Sequence, residues 1–196
     1  QLVTSYEFPE GSTKIPSYAF YGCKSITSVT IPDTVKSIGK CAFTGTSITS
    51  IEIPDSVTTI GDEAFYDCDS LTSITVSGGN ANYKSIDGNL YTKDGKTLIQ
   101  YAIGKTETEF TIPDNVTSIG KSAFAYCDSL KSVVISNSIT SIPYSAFRNC
   151  TNLTNIVIGN NVTSIGNYVF TNCSKLTNVY YKGTAEDWSK ITIGSD

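Results

Sequence analysis

Six cysteines, Cys23, Cys41, Cys68, Cys127, Cys150 and Cys173, are the side chains with the widest chemical range in this 196-residue chain. Thiols serve as nucleophiles, metal ligands or disulfide partners, and each use needs company. A nucleophilic thiol is most often activated by an imidazole, and the chain has no His, so Cys-His dyads and Ser-His-Asp triads are excluded together. A zinc site reads as paired Cys-x-x-Cys, and no such pair occurs. Asp87, Asn89 and Asp94 resemble the composition of a calcium loop but not its D-x-[DN]-x-[DN]-G spacing. No Asp/Glu pair sits in a motif that suggests glycoside hydrolysis. The residues that could do chemistry therefore predict no enzyme, no metal and no cofactor.

The elements that carry these residues are β-rich. There are 22 Ile against 7 Leu, with 25 Ser and 26 Thr supplying most of the polarity. Ile, Val and Thr suit a pleated, half-buried surface better than a helix. Only 16% of residues are charged and the net charge is −4, which leaves no basic footprint for nucleic acid. No apolar run approaches the roughly 20 residues of a membrane helix, so membrane insertion is not expected. The sequence lacks Met even at position 1, and Gln1 starts almost inside a repeat. A segment cut from a longer protein is expected.

That repeat organises everything else. Its unit reads L-x-x-I-x-I-P-x-x-V-x-x-I-G-x-x-A-F-x-x-C, with strand-like starts at Val3, Ile26, Ile48, Leu71, Glu107, Leu130, Leu153 and Leu176. The spacings are 23, 22, 23, 36, 23, 23 and 23 residues. The fourth and sixth residues of each start share one face of a short strand, because side chains alternate with period 2. A second pair (Val35 and Ile38, for example) and the phenylalanines Phe20, Phe43, Phe65, Phe124, Phe147 and Phe170 complete an apolar side that one unit cannot bury alone. Gly39, Gly61, Gly120 and Gly166 follow the second pair and suit a tight turn. Five of the six cysteines fall at one repeat position, and Thr46 lies near that place in the shortened copy. An even thiol count invites a disulfide framework. Recurrence at one stacking position favours small, buried, free thiols instead.

These residues resemble the leucine-rich repeats of BspA-like bacterial surface proteins, over nearly the whole chain. The resemblance implies a single array over 1–196: a right-handed solenoid of about eight turns with a parallel sheet on its concave face and short strands and turns on the convex side. It also implies a bacterial protein, extracellular or at the cell surface, that adheres to host or extracellular-matrix proteins or to another cell-surface protein. The alternative is a structural spacer that displays another domain.

Two segments depart from the pattern. About 77–106 lacks the Ala-Phe-x-x-Cys half, and its Asp87-Gly88 and Asp94-Gly95 dipeptides signal type I′ hairpins. Such an insertion either projects Tyr83, Tyr91 and Tyr101 as a recognition loop or is a structural variant of the repeat. About 182–196 reads as a C-terminal cap, with Thr184 as N-cap of a short helix and Trp188 as a lid over the last turn. Asn115, Asn149, Asn152, Asn161 and Asn172 begin N-x-[ST] sequons, which matter only in a eukaryotic source.

Binding, if it follows the sheet, falls to the outward third and fifth strand positions. These are Ser28 and Thr30, Ser50 and Glu52, Ser73 and Thr75, Ser132 and Val134, Asn155 and Val157, and Asn178 and Tyr180. The equally available reading is a solvated face held by Ser/Thr ladders. The columns are hydroxylic at the N-terminal end and more apolar toward Tyr180.

Overall fold

The computed structural model describes residues 3–195, so Gln1 at the start of the first copy and Asp196 at the end of the expected cap lie outside the described residues. The chain is a β-solenoid with parallel sheets, one antiparallel hairpin and one short helix among the described residues. It forms two compact units. One comprises the described residues up to Asp94 with Gln100–Lys105, and the other Gly95–Ile99 with the described residues from Thr106 onward.

In the first unit each of the first three repeats contributes one longer and one two-residue strand, and the fourth contributes a longer strand. In chain order these are β1 (Ser5–Glu7), β2 (Lys14–Ile15), β3 (Ser28–Thr30), β4 (Ser37–Ile38), β5 (Ser50–Ile53), β6 (Thr59–Ile60) and β7 (Ser73–Val76). All pairings among them are parallel and in repeat register. Tyr6 lies opposite Val29 and Ile51 opposite Ile74 in the longer column, and Ile15, Ile38 and Ile60 align in the shorter one. The exposed–buried alternation of β5 is the period-2 signal of the sequence made physical, with Ile51 and Ile53 inside. Phe20, Phe43 and Phe65 stack face to face, with centroids 5.3 and 5.6 Å apart.

The insertion builds a hairpin, β8 (Tyr83–Ile86) against β9 (Asn89–Thr92), with Ile86 opposite Asn89. Its turn carries Asp87 and Gly88 at φ +50° and +73°, the left-handed pair that a type I′ turn requires. The buried Asn80 carboxamide fixes its approach: it donates to the Pro54 and Val57 carbonyls at 2.7 and 3.0 Å and accepts from the Asn82 and Tyr83 amides. The Tyr83 hydroxyl then accepts from the Ile60 amide at 3.0 Å and so occupies the free edge of β6.

The second unit repeats the plan with β10 (Thr97–Gln100, its last residue in the first unit), β11 (Glu109–Thr111), β12 (Ser118–Ile119), β13 (Ser132–Val134), β14 (Ser141–Ile142), β15 (Asn155–Ile158), β16 (Ser164–Ile165), β17 (Asn178–Tyr181), helix α1 (Ala185–Ser189) and β18 (Thr192–Ile193). Phe110, Val133, Ile156 and Val179 align across β11, β13, β15 and β17. The shorter column divides, β10–β12 from β14–β16–β18. Pro143 stands at the division. Gly61 and Gly166 at this slot donate to the preceding repeat, at the Ile38 and Ile142 carbonyls, and proline has no N–H to give.

The glycines after the second pair serve a different purpose from the one expected. None of Gly39, Gly61, Gly120 and Gly166 has positive φ. A Cβ on Gly39 or Gly61 would instead lie 2.3 or 2.4 Å from a backbone nitrogen of the previous repeat (Ser17, Lys40). Close approach of stacked backbones selects glycine here, not turn geometry. The left-handed positions fall elsewhere. Each full turn has two, one before the Ala-Phe pair (Tyr18, Cys41, Glu63, Ser122, Ser145, Tyr168) and one before the cysteine slot (Gly22, Gly45, Asp67, Tyr126, Asn149, Asn172).

The cap has the expected start and an incomplete lid. Thr184 and Asp187 form a capping box at α1. Trp188 packs against Tyr181, 5.4 Å between centroids, and borders a 230 Å³ apolar pocket with Phe170 and Val179. Val179 remains 50% exposed, whereas its counterpart Ile156 is 1% exposed.

Candidate functional site

The thiols are placed for packing. Cys68, Cys150 and Cys173 each donate to the carbonyl of the phenylalanine one repeat earlier (Phe43, Phe124 and Phe147) at 3.0, 3.1 and 3.0 Å. Burial pushes the Cys68 thiol up to about 11 and also raises Cys127. Cys150 is raised well above the ordinary thiol value, first by its hydrogen bond with Cys173 and then by burial. Thiols held neutral at physiological pH are poor nucleophiles and poor metal ligands. Thr46, at the thiol position of the shortened copy, donates instead to the Phe43 carbonyl of its own repeat at 2.9 Å. Among the described residues no group of three or more Cys, Asp or Glu is arranged to hold a metal ion.

The insertion does not project a recognition loop. Tyr91 and Tyr101 are each 1% exposed and rank among the largest fully buried side chains. Tyr83 is half-buried with its hydroxyl bound to the Ile60 amide. All three were candidates for contact. The hairpin lays them against the repeats because Asn89, Leu90 and Tyr91 are buried in succession, on both faces of β9.

On the strand face of the first unit, five expected contact residues do come together. Ser28, Thr30, Ser50, Glu52 and Thr75 line a depression of about 650 Å³, joined by Asp33 and Ser77 at its rim and by Val29, Ile31, Pro32, Ile51 and Pro54. Ser73 is half-buried: the hairpin turn covers it, with the Gly88 carbonyl accepting from the Ile74 amide at 2.8 Å and Gly88 packed on the Ser73 side chain. The depression coincides with an interruption of the sheet. β3 pairs with β1, and β5 with β7, but β3 and β5 belong to different sheets. Their near ends are joined by the Ser47 and Thr49 amides, which donate to the Ile26 and Thr27 carbonyls. At the far end the Ile31 amide makes no bond to the Glu52 carbonyl, although its counterparts Ile112 and Ile135 donate to Val134 and Val157 at 2.9 and 2.8 Å. The opening lies at the one 22-residue repeat, where a residue is missing near Thr46.

The strand face of the second unit is more tightly knit. The Asn178 carboxamide donates to that of Asn155 at 2.6 Å, and Asn155 donates to the Thr154 hydroxyl at 2.9 Å. Ser132, Val134, Asn155 and Val157 are half-buried, and Tyr180 stands out at 64% exposure.

One set of exposed groups escaped the reading of the strand positions. Tyr18 and Tyr21 in the first unit and Tyr144 and Tyr168 in the second form exposed edge-to-face pairs, 5.8 and 5.7 Å between centroids. They flank the Ala-Phe pair, and the recurrence of Tyr18 and Tyr168 at one repeat position was the signal available for them.

The family model described as BspA type Leucine rich repeat region (6 copies) matches residues 2–104 and 96–192. Among solved structures, a leucine rich cell surface protein from Faecalibacterium prausnitzii is 31% identical with a TM-score of 0.70, over 97% of this chain and 62% of that one. A leucine-rich repeat protein from Eubacterium ventriosum is 30% identical with a TM-score of 0.73, over 93% of this chain and 61% of that one. The pneumococcal vaccine antigen PcpA, 19% identical with a TM-score of 0.67 over 89% of this chain and 57% of that one, shares the fold. The chain thus spans about three fifths of the length of the first two. No curated protein matches its sequence.

Proposed function

The chain belongs to the BspA-type leucine-rich repeat family, and from that premise we propose that it is a non-enzymatic binding module of a secreted or cell-surface protein. Its partner in this reading is a host or extracellular-matrix protein, or a protein on another cell. The observation that carries the reading is the depression over β3, β5 and β7, where Ser28, Thr30, Ser50, Glu52 and Thr75 converge on one recess. Its volume of about 650 Å³ lies in the range of ligand sites. The buried, neutral thiols and the absence of His speak against catalysis. The family relatives include a protein described as a cell surface protein, which supports the placement. Among the described residues no helix is long and apolar enough to cross a membrane.

The test is surface plasmon resonance of the immobilised chain against a panel of purified extracellular-matrix proteins. At least one is expected to bind, and Ser50→Arg, which fills the recess, is expected to weaken that binding at least tenfold while Tyr21→Ala leaves it unchanged. Absence of binding across the panel at high micromolar concentration would instead favour a spacer that displays another domain.

A further inference from the structure

The depression on the strand face has a chemical character as well as a shape. Its ionisable lining groups are Asp33 and Glu52, and no Lys or Arg lines it. Neither carboxylate has a cationic partner among the described residues. Five hydroxyls, of Ser28, Thr30, Ser50, Thr75 and Ser77, line it with them. The interruption between β3 and β5 adds a main-chain donor, the Ile31 amide, which has no partner among the described residues, and it leaves the Glu52 carbonyl without the bond that the Val134 and Val157 carbonyls accept. Backbone groups with no partner in a recess are what an extended chain recognises. No aromatic ring lines the recess to stack on a sugar. We propose that this depression takes an extended, lysine- or arginine-bearing peptide segment of a partner protein, its main chain pairing with Ile31 and Glu52 and its cationic side chain set between the Glu52 and Asp33 carboxylates.

The inference rests on the binding reading above and specifies its ligand. Attraction between a cationic side chain and two carboxylates at a recess rim is screened by salt and adds specificity. A register set by backbone pairing directs alternate ligand side chains toward and away from the face.

Fluorescence anisotropy of the whole chain with a labelled nonapeptide of alternating lysine and threonine, and with its glutamine–threonine counterpart, tests this. The lysine peptide is expected to bind, and the glutamine peptide to bind at least tenfold more weakly. The double variant Asp33→Asn/Glu52→Gln is expected to lose about tenfold in affinity. Glu10→Gln/Asp69→Asn, which removes the same charge outside the depression, is expected to bind as the wild type does. Methylation of the peptide's backbone nitrogens is expected to weaken binding without changing its charge. Equal binding of the two peptides, equal loss in both double variants, or capture of a neutral oligosaccharide that Glu52→Gln abolishes would each overturn the inference. Matrix-protein binding that survives Asp33→Asn/Glu52→Gln would overturn it while leaving the broader binding role in place. Loss of the lysine-peptide effect together with silence across the matrix panel would remove both.

Discussion

The Cys150 thiol donates to the Phe124 carbonyl at 3.1 Å, a contact that reaches back 26 residues and fastens one turn of the solenoid to the turn before it. Cys173 and Phe147 repeat it at 3.0 Å, and Cys68 and Phe43 do so in the first unit. The thiol position thus belongs to the stacking interface.

Thiol reactivity should follow that placement. With native protein at pH 8, a disulfide reagent such as DTNB is expected to modify Cys23 readily, since it alone among the six is not fully buried. Cys41, beside the Glu63 carboxylate and with its thiol raised by burial, should react slowly. Cys68, Cys127, Cys150 and Cys173 should react only on unfolding. Because burial pushes Cys68 up to about 11, its thiolate should appear only at strongly alkaline pH. Rapid modification of four or more thiols in the native state would contradict this.

The aromatic stack carries a large share of stability. Phe43→Ala removes a ring held between Phe20 and Phe65 and is expected to cost about 3–5 kcal/mol in chemical unfolding. Phe170→Ala, at a half-buried position with Phe147 on one side, should cost less.

Glycine substitutions should separate by mechanism. Gly61→Ala places a Cβ 2.4 Å from the Lys40 backbone nitrogen, which cannot yield without displacing the neighbouring turn. A loss of about 2 kcal/mol or more is expected. Gly78→Ala meets nothing within 4 Å at a φ that is not left-handed, and should be neutral or stabilising by about 0.4–1 kcal/mol. The reverse change at Ser145 should stabilise. Ser145 is buried, has φ +53° and its hydroxyl has no hydrogen-bond partner. Ser145→Gly removes both penalties and should raise stability by about 1 kcal/mol. Thermal unfolding of the three variants checks the set.

The C-terminal cap should be acid-sensitive. Asp187 is lowered by its hydrogen bonds from the Thr184 hydroxyl and amide. A depressed carboxyl stabilises the cap above its unfolded value, near 4, and that contribution is lost as pH falls through the lower folded value. Trp188 fluorescence is expected to change below about pH 4, and Thr184→Ala should produce the same change at neutral pH.

Much of the fold is written in residue spacing. The positions of Ile51, Ile74, Phe43 and Cys150 follow from one repeat whose apolar residues have a fixed period, so recurrence predicts which face is inside. The Asp87-Gly88 turn was legible for the same local reason: its two left-handed residues are set by the dipeptide. The fate of Tyr91 and Tyr101 was not legible, because a hairpin's alternation does not say which of its faces another element covers. The purpose of Gly39 and Gly61 was hidden too, since it depends on a backbone one repeat away. At the candidate site, the shortened repeat near Thr46 was visible in the spacing, and the residues Ser28, Thr30, Ser50, Glu52 and Thr75 were named from strand alternation. That β3 and β5 separate there, and that Asp33 joins the recess, are consequences of stacking geometry that a one-residue deletion does not reveal.

The most direct test of the account is hydrogen–deuterium exchange of the chain with and without a bound matrix protein. Added protection over residues 28–33 and 50–54, at the rims of the recess between β3 and β5, is the predicted result. Protection confined to the turns that carry Tyr18, Tyr21, Tyr144 and Tyr168, with residues 28–33 and 50–54 unchanged, would contradict it.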